Sequence, residues 1–274
     1  MEVPCGGCLG CRLDRSQELA IRCVHEAQMH QKNCFVTLTY DSENVPIDGS
    51  LSKSHFPAFM KRLRKKYEGT EIRYLYCGEY GERLERPHYH ACLFGIDFDD
   101  DWVQHGANDR GDIHYTSDTL AKLWGKGFCT VGELNFETAA YTARYVMKKV
   151  TGPTAEEHYY RDNPLTGECY KLQPEFCKWS LGRKKGDGLG ARFFKRYKTD
   201  FFPADQCPVP GKGVYNRIPR YYEKIYEEEN PDTFGEIKKR RKQYRDTNAD
   251  EYSTRRLETK FKVKKAAITT LRRS

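Results

Sequence analysis

The 274-residue chain contains no run of about 18 consecutive apolar residues, so no transmembrane helix is expected. Its opening residues, Met1-Glu2-Val3-Pro4-Cys5, form no charged-then-apolar leader, and a cytosolic location is expected. There is no Gly-x-x-x-x-Gly-Lys-Ser/Thr phosphate loop, hence no helicase of that kind within the sequence. No internal repeat is visible. What it does have is charge, cysteine and tyrosine. The net charge is +8, with 47 Lys/Arg against 39 Asp/Glu. From Glu236 to Ser274 there are fourteen Lys/Arg and five Asp/Glu, so the last segment carries +9 and the rest sums to about −1. Eleven cysteines, an odd number in a chain with no leader, argue for reduced thiols or metal ligands over a disulfide framework. The 19 tyrosines and 14 phenylalanines could stack on unpaired bases, although many must be core.

Hydrophobic periodicity predicts a helix over 12–30, a strand over 34–40 and a helix over 52–67 with Pro57 in its first turn. Strands are expected at 72–79 and 88–94, joined as an antiparallel hairpin. The acidic stretch 97–112 reads as a loop, followed by a short helix over 119–124, a strand over 128–134 and a helix over 137–150. Beyond Gly152 the signal weakens. Gly182–Gly190 suits a flexible basic loop, and Ala204–Gly213 suits a linker. The pattern suggests an α+β fold with a central antiparallel sheet flanked by helices. Its expected divisions are a Cys-rich loop and helix at 1–33, a catalytic domain at 34–203, and a linker with a basic extension at 204–274.

The most informative stretch is Arg86-Pro87-His88-Tyr89-His90, just after Cys77-Gly78-Glu79-Tyr80-Gly81. Residues two apart on a strand share a face, so His88 and His90 would present two imidazoles to one spot. Glu79 sits just before the turn and can meet them across the hairpin. Glu82 and Glu85, in the turn itself, are rival carboxylates. Two nitrogens and one oxygen suit Mg²⁺, Mn²⁺ or Zn²⁺, with Mg²⁺ or Mn²⁺ reasonable for phosphate chemistry. The isolated histidine pair also has a bland reading, as two surface residues. The other histidines, His25, His30, His55, His105, His114 and His158, are scattered and expected at the surface.

A second constellation is Tyr141-Thr142-Ala143-Arg144-Tyr145-Val146-Met147-Lys148-Lys149. On a helix, Tyr141, Tyr145 and Lys149 share one face. A phenol, with a pKa of about 10, is a weak nucleophile, and a nearby ammonium favours its phenolate. Tyrosines four apart are more often core. Tyr76/Tyr80 and Tyr222/Tyr226 have the same spacing and are read that way. A metal that polarises a phosphate and a tyrosine that attacks it would together nick DNA.

Cys5, Cys8 and Cys11 are spaced as in zinc or iron–sulfur loops, with Cys23 the nearest fourth cysteine and His25 a weaker choice. Structural Zn²⁺ and free thiols packed near a helix start are held equal. The run Lys238-Lys239-Arg240-Arg241-Lys242 reads equally as a phosphate-binding extension or as a solvated helix face.

With these residues in hand, the chain resembles the HUH endonucleases that initiate rolling-circle replication, and most of all the initiators of gokushovirus-type microviruses. The matching stretches are Pro4–Arg12, Phe35–Tyr40, Cys77–Gly81, Arg86–Gly95 and Ala140–Lys149, in the family's order; the part beyond about Pro203 matches loosely. Tyr89 departs from the usual bulky aliphatic between the histidines but should face away from the metal. The resemblance implies an HUH/RRM-like sheet with His88 and His90 as metal ligands and Glu79 as the third. It implies Tyr141 and Tyr145 as the nucleophile pair. It also implies a single-stranded DNA origin as substrate, host helicase and DNA polymerase as partners, no membrane partner, and action in the host cell cytoplasm. The rivals are an HUH transposase or relaxase, and a non-enzymatic zinc-dependent DNA-binding protein.

Overall fold

In the computed structural model, residues 5–81, 84–107, 111–144, 149–150, 152–162, 167–182, 184 and 186–269 are described. Helix α1 (Leu9–Ala27) leads to strand β1 (Asn33–Thr39), helix α2 (His55–Lys66) and the hairpin β2 (Arg73–Tyr80) and β3 (Pro87–Phe94). Then come β4 (Trp102–Ala107), β5 (Ile113–Ser117), α3 (Asp118–Trp124), β6 (Cys129–Gly132) and α4 (Phe136–Arg144). After α5 (Ala155–Tyr159), β7 (Tyr160–Asp162) and β8 (Cys169–Lys171), strand β9 (Phe176–Trp179) rejoins the main sheet. Helix α6 (Ala191–Phe201), β10 (Cys207–Val209), β11 (Gly213–Tyr215), α7 (Arg220–Glu229), α8 (Pro231–Thr247) and α9 (Thr254–Thr269) complete the chain.

The main sheet has seven strands in the order β4-β5-β6-β1-β3-β2-β9, every neighbouring pair antiparallel. This is the expected α+β architecture. Side-chain alternation divides it into two faces. Val36, Leu38, Tyr76, Tyr89 and Leu93 point into a core closed by Phe56, Phe59 and Leu63 of α2 and by Leu120 and Trp124 of α3. Phe35, Leu75, Cys92 and Phe94 point the other way, against Leu19, Ala20 and Cys23 of α1 and Ala139 and Ala143 of α4. Helices therefore cover both faces of the central strands.

Local chemistry explains several boundaries. Ser117 caps α3 by accepting from the Leu120 N–H at 3.1 Å, and Gly125 ends it in the left-handed region at φ 59°. Trp124 Nε1 then donates to the Thr39 carbonyl at 3.0 Å, tying α3 to the end of β1. Asn135 and Thr138 open α4 reciprocally: Asn135 Oδ1 accepts from the Thr138 N–H, and Thr138 Oγ1 from the Asn135 N–H, both at 2.9 Å. Gly190 starts α6 at φ 79°, where a Cβ would lie 2.1 Å from Tyr222 Oη.

Four sequence expectations are corrected. Residues 97–112 are not all loop, because β4 pairs with β5 there. β4 is exposed along almost its whole length, so no buried alternation marks it in the sequence. The helix expected over 137–150 does not reach its end, since Lys149 lies in a bend. Backbone groups there take other partners: the Lys149 carbonyl accepts from Arg12 Nη2 at 2.9 Å, and the Val150 N–H donates to Tyr159 Oη at 3.0 Å. Much of 204–274 is not linker. Cys207, Val209, Ile218, Tyr222, Phe234 and Ile237 are buried with Ile21 and Val24 of α1 and Phe194 of α6. Finally, His25 is fully buried and His30 nearly so. His30 joins Arg73 and the Gly190 N–H in satisfying the buried carboxylate of Glu26, at 3.1, 2.8 and 2.7 Å. No helix among the described residues is long and apolar enough to cross a membrane.

Candidate active site

The hairpin register places Glu79 of β2 directly opposite His88 of β3, and Cys77 opposite His90. On β1, Thr39 faces His88 and Thr37 faces His90. Since His88, His90 and Cys92 alternate with Tyr89 and Ala91, both imidazoles emerge on the α1/α4 face. Tyr89 indeed points the other way; its hydroxyl lies 2.8 Å from that of Tyr40 and donates to the Ser52 carbonyl at 2.8 Å.

Glu79, His88 and His90 bring their ligand atoms within 4.8 Å of one another. Glu79 Oε1 is 2.6 Å from His88 Nε2 and 3.2 Å from His90 Nε2. The glutamate is 2% exposed and His90 5%. Burial alone would raise the Glu79 pKa, but the hydrogen bonds and charge of the two histidines outweigh it and hold it at about 2. Glu79 is therefore a carboxylate at any physiological pH.

The donor set fits a divalent ion. His88 Nδ1 lies 3.1 Å from the Arg86 carbonyl, which can only accept, so Nδ1 carries the proton. In the neutral ring, Nε2 then directs a lone pair at the Glu79 carboxylate. Two lone pairs at 2.6 Å repel unless His88 is protonated or a cation lies between them. Donors around an octahedral ion at about 2.1 Å stand about 3 Å apart, close to the separations seen. On His90, Nδ1 meets Thr37 Oγ1 at 3.0 Å, again leaving Nε2 for the shared spot. Of the rival carboxylates, Glu85 is exposed and pairs with Arg161 at 3.4 Å, while Glu82 lies outside the described residues.

Helix α4 brings Tyr141 to this site. Its ring stands edge-on to His90, centroids 5.1 Å apart and planes at 80°. Phe35 stacks on the other aspect of His90 at 5.6 Å and meets Tyr141 edge-on at 6.2 Å. Thr142 Oγ1 donates to the Thr138 carbonyl at 2.9 Å, within α4. A cleft of about 710 Å³ opens beside these residues, lined by His90, Thr37 and Tyr141 at one end and by Trp102 and Tyr115 at the other. The indole and phenol stack on each other, 4.6 Å between centroids. Asp112 and Glu133 also line the cleft.

The remaining expected site residues fare differently. Tyr145 lies outside the described residues. Lys149 is exposed and off the helix, so it does not join Tyr141 by helical spacing. Cys5, Cys8 and Cys11 do cluster, but Cys23 does not join them. Cys23 lies twelve residues beyond Cys11 on the same helix, roughly 18 Å along the axis. It is fully buried against the sheet, and burial pushes its thiol pKa well up. His25, the weaker fourth choice, is committed to the Pro208 carbonyl at 2.8 Å and Tyr222 Oη at 3.0 Å. Backbone N–H groups of Cys8 and Gly7 lower the Cys5 thiol to about 7.

Sequence reading missed Thr37, the Arg86 carbonyl and Phe35. Thr37 could have been found by alternation, since it leads the same strand face that β3 would pair. The carbonyl has no sequence signal.

The family model for replication-associated proteins of the ORF2 type matches residues 33–150, which include β1, the histidine pair and α4. The replication-associated protein ORF2 of Spiroplasma virus 4 is 34% identical over 242 residues, covering 85% of this chain and 70% of that protein. The replication-associated protein VP4 of Bdellovibrio phage phiMH2K is 31% identical over 240 residues, with the same coverage of 85% and 70%. The replication-associated protein ORF4 of Chlamydia phage 1 is 35% identical over 159 residues, covering 54% of this chain and 38% of that protein. No solved structure matches. The chain belongs to the replication-associated protein family of gokushovirus-type microviruses.

Proposed function

We propose that the chain is an HUH-type tyrosine endonuclease and strand transferase that initiates rolling-circle replication at a single-stranded DNA origin. The observation that carries this reading is the packing of Tyr141 on His90, beside a buried carboxylate and a second histidine. A Mg²⁺ or Mn²⁺ ion held by Glu79, His88 and His90 would supply Lewis-acid polarisation of the scissile phosphate. The chain's own residues do the rest. Thr37 and the Arg86 carbonyl fix the two imidazoles, and Glu79 balances positive charge at their shared spot. The cleft admits an unpaired strand, whose bases can stack on Trp102 and Tyr115.

In the reaction, the Tyr141 phenolate attacks phosphorus. A tyrosine–phosphorus bond forms as the P–O3′ bond breaks, and the released O3′ takes up a proton. The product is a 5′-phosphotyrosine and a free 3′-OH, which a host polymerase would extend behind a host helicase. In the closing step a freed 3′-OH attacks the phosphotyrosine, releasing Tyr141 and restoring a phosphodiester. Tyr145 is the second nucleophile of this scheme. The kinship with replication-associated proteins favours this over a transposase or relaxase.

Mixing the full chain with Mn²⁺ and a single-stranded origin oligonucleotide should give a covalent DNA–protein adduct. An adduct that persists in the Tyr141→Phe/Tyr145→Phe double variant would show the nucleophiles to be wrong. No adduct under any metal condition would favour the non-enzymatic DNA-binding reading.

A further inference from the structure

One other cluster of metal-binding side chains exists among the described residues: Cys5, Cys8 and Cys11, sulfurs within 4.8 Å of one another. We infer that these three thiolates alone hold a zinc ion, with its fourth position open to water or an outside donor, and that this site pins the start of α1 to the segment that follows the tyrosine helix. The inference does not depend on the proposed reaction.

The geometry suits a single ion. Cys5 Sγ and Cys11 Sγ lie 4.0 Å apart. Thiolates bound tetrahedrally at about 2.3 Å stand about 3.8 Å apart. An iron–sulfur cluster would place each thiolate on a different iron and spread the sulfurs further. The loop is also shaped for the task. The Cys8 N–H donates to Cys5 Sγ at 3.2 Å, a bond that steadies a thiolate and orients it. Gly6, at φ 74° and with open space around it, lets the backbone curl between the first two cysteines. Cys8 caps the 19-residue helix α1 with no side-chain hydrogen bond of its own, and Cys11 lies in the first turn. The positive end of the helix thus faces sulfurs that must be anionic to bind metal.

Donor chemistry separates this site from the other. Soft thiolates select zinc, whereas Glu79 with two imidazoles accepts the harder Mg²⁺ or Mn²⁺. The structural consequence runs through Arg12, adjacent to Cys11, whose guanidinium donates to the Lys149 carbonyl at 2.9 Å. Fixing Cys11 fixes the backbone that carries Arg12, and so the chain just beyond α4.

The test uses full-length protein from zinc-limited medium, titrated with Co²⁺ alone. A sulfur-to-cobalt charge-transfer band should saturate at one equivalent and vanish when Zn²⁺ is added. Cys8→Ser should weaken that binding about tenfold or more, while His88→Ala/His90→Ala leaves the band intact. In peptide mapping, Zn²⁺ should protect Cys5, Cys8 and Cys11 from iodoacetamide and leave the exposed Cys169 reactive. Zn²⁺ should also slow amide exchange in peptides spanning 149–159. The inference fails if no thiolate band forms, if the band follows the histidines, or if the protein carries iron with acid-labile sulfide. Unchanged exchange at 149–159 overturns the link to α4.

Discussion

The Tyr141 ring meets the His90 imidazole edge-on at 5.1 Å, and Phe35 stacks on that same imidazole at 5.6 Å. His90 is thus held by two aromatic rings as well as by Thr37, and Tyr141 is placed by the ring that would serve the metal. Two functions of Tyr141 can be separated. Tyr141→Phe keeps the edge contact and should leave the melting temperature nearly unchanged, while adduct formation falls at least about tenfold. Tyr141→Ala removes the ring itself and should cost about 1 kcal/mol in urea unfolding. If Tyr141→Phe forms adduct at the parent rate, the first nucleophile is another residue.

Thr37→Val removes the hydroxyl that meets His90 Nδ1 at 3.0 Å and preserves side-chain volume. Partners of this kind typically tune metal affinity by about 10–100-fold. The variant should need that much more Mn²⁺ for half-maximal adduct formation and approach the parent yield once Mn²⁺ is saturating. A drop that saturating Mn²⁺ cannot restore would assign Thr37 a different role.

Much of this site was legible because strand alternation is a strict rule. Given two strands and a short turn, Glu79, His88 and His90 had to share a face, and they do. Tyr141 was legible only as a helical residue; its approach to His90 depends on how α4 docks through Ala139 and Ala143, which no local pattern encodes. Lys149 was misplaced because periodicity continues past the point where Arg12 and Tyr159 capture the backbone. Cys23 was attractive by proximity in sequence, yet a helix carries it roughly 18 Å from Cys11. β4 left no trace, since an exposed edge strand needs no apolar alternation. The buried stretch from Cys207 to Ile237 was hidden because its apolar residues are sparse and meet α1 from far along the chain.

His25 makes folding sensitive to mild acid. Its Nε2 must donate to the Pro208 carbonyl, so neutral Nδ1 accepts from Tyr222 Oη, and a second proton has no partner there. Burial lowers its pKa from the ordinary 6.5 to about 4, against a smaller upward pull from the Pro208 carbonyl. The unfolded chain therefore binds more protons than the folded one between these values, and stability falls as pH drops through that window. The contribution is fully present above 6.5 and reaches a loss of about 3 kcal/mol near pH 4. Urea midpoints measured from pH 7 to 4.5 should decline in the parent. The decline should be distinctly shallower in His25→Gln, whatever that substitution costs at pH 7. Equal slopes in the two proteins would show that His25 titrates normally.

The basic extension divides at Asn248. Helix α8 cannot be removed cleanly, because Phe234 and Ile237 are buried and Arg241 pairs with Asp205 at 2.5 Å and Glu223 at 2.7 Å. In helix α9 the described side chains are all exposed, and Leu257, Phe261 and Val263 take no part in the core. Some of its cations are engaged, Lys264 with Asp14 at 3.4 Å and Lys260 with Glu251 at 2.9 Å; surface pairs of this kind contribute little to stability. Ending the chain at Ser253 should therefore leave the unfolding midpoint almost unchanged. If α9 touches DNA, affinity for a single-stranded oligonucleotide falls, and its dependence on log salt flattens by about 0.7 for each phosphate that α9 had neutralised. A truncated protein with the parent's salt slope would make α9 a solvated helix and move the phosphate-binding role to the cleft and α8.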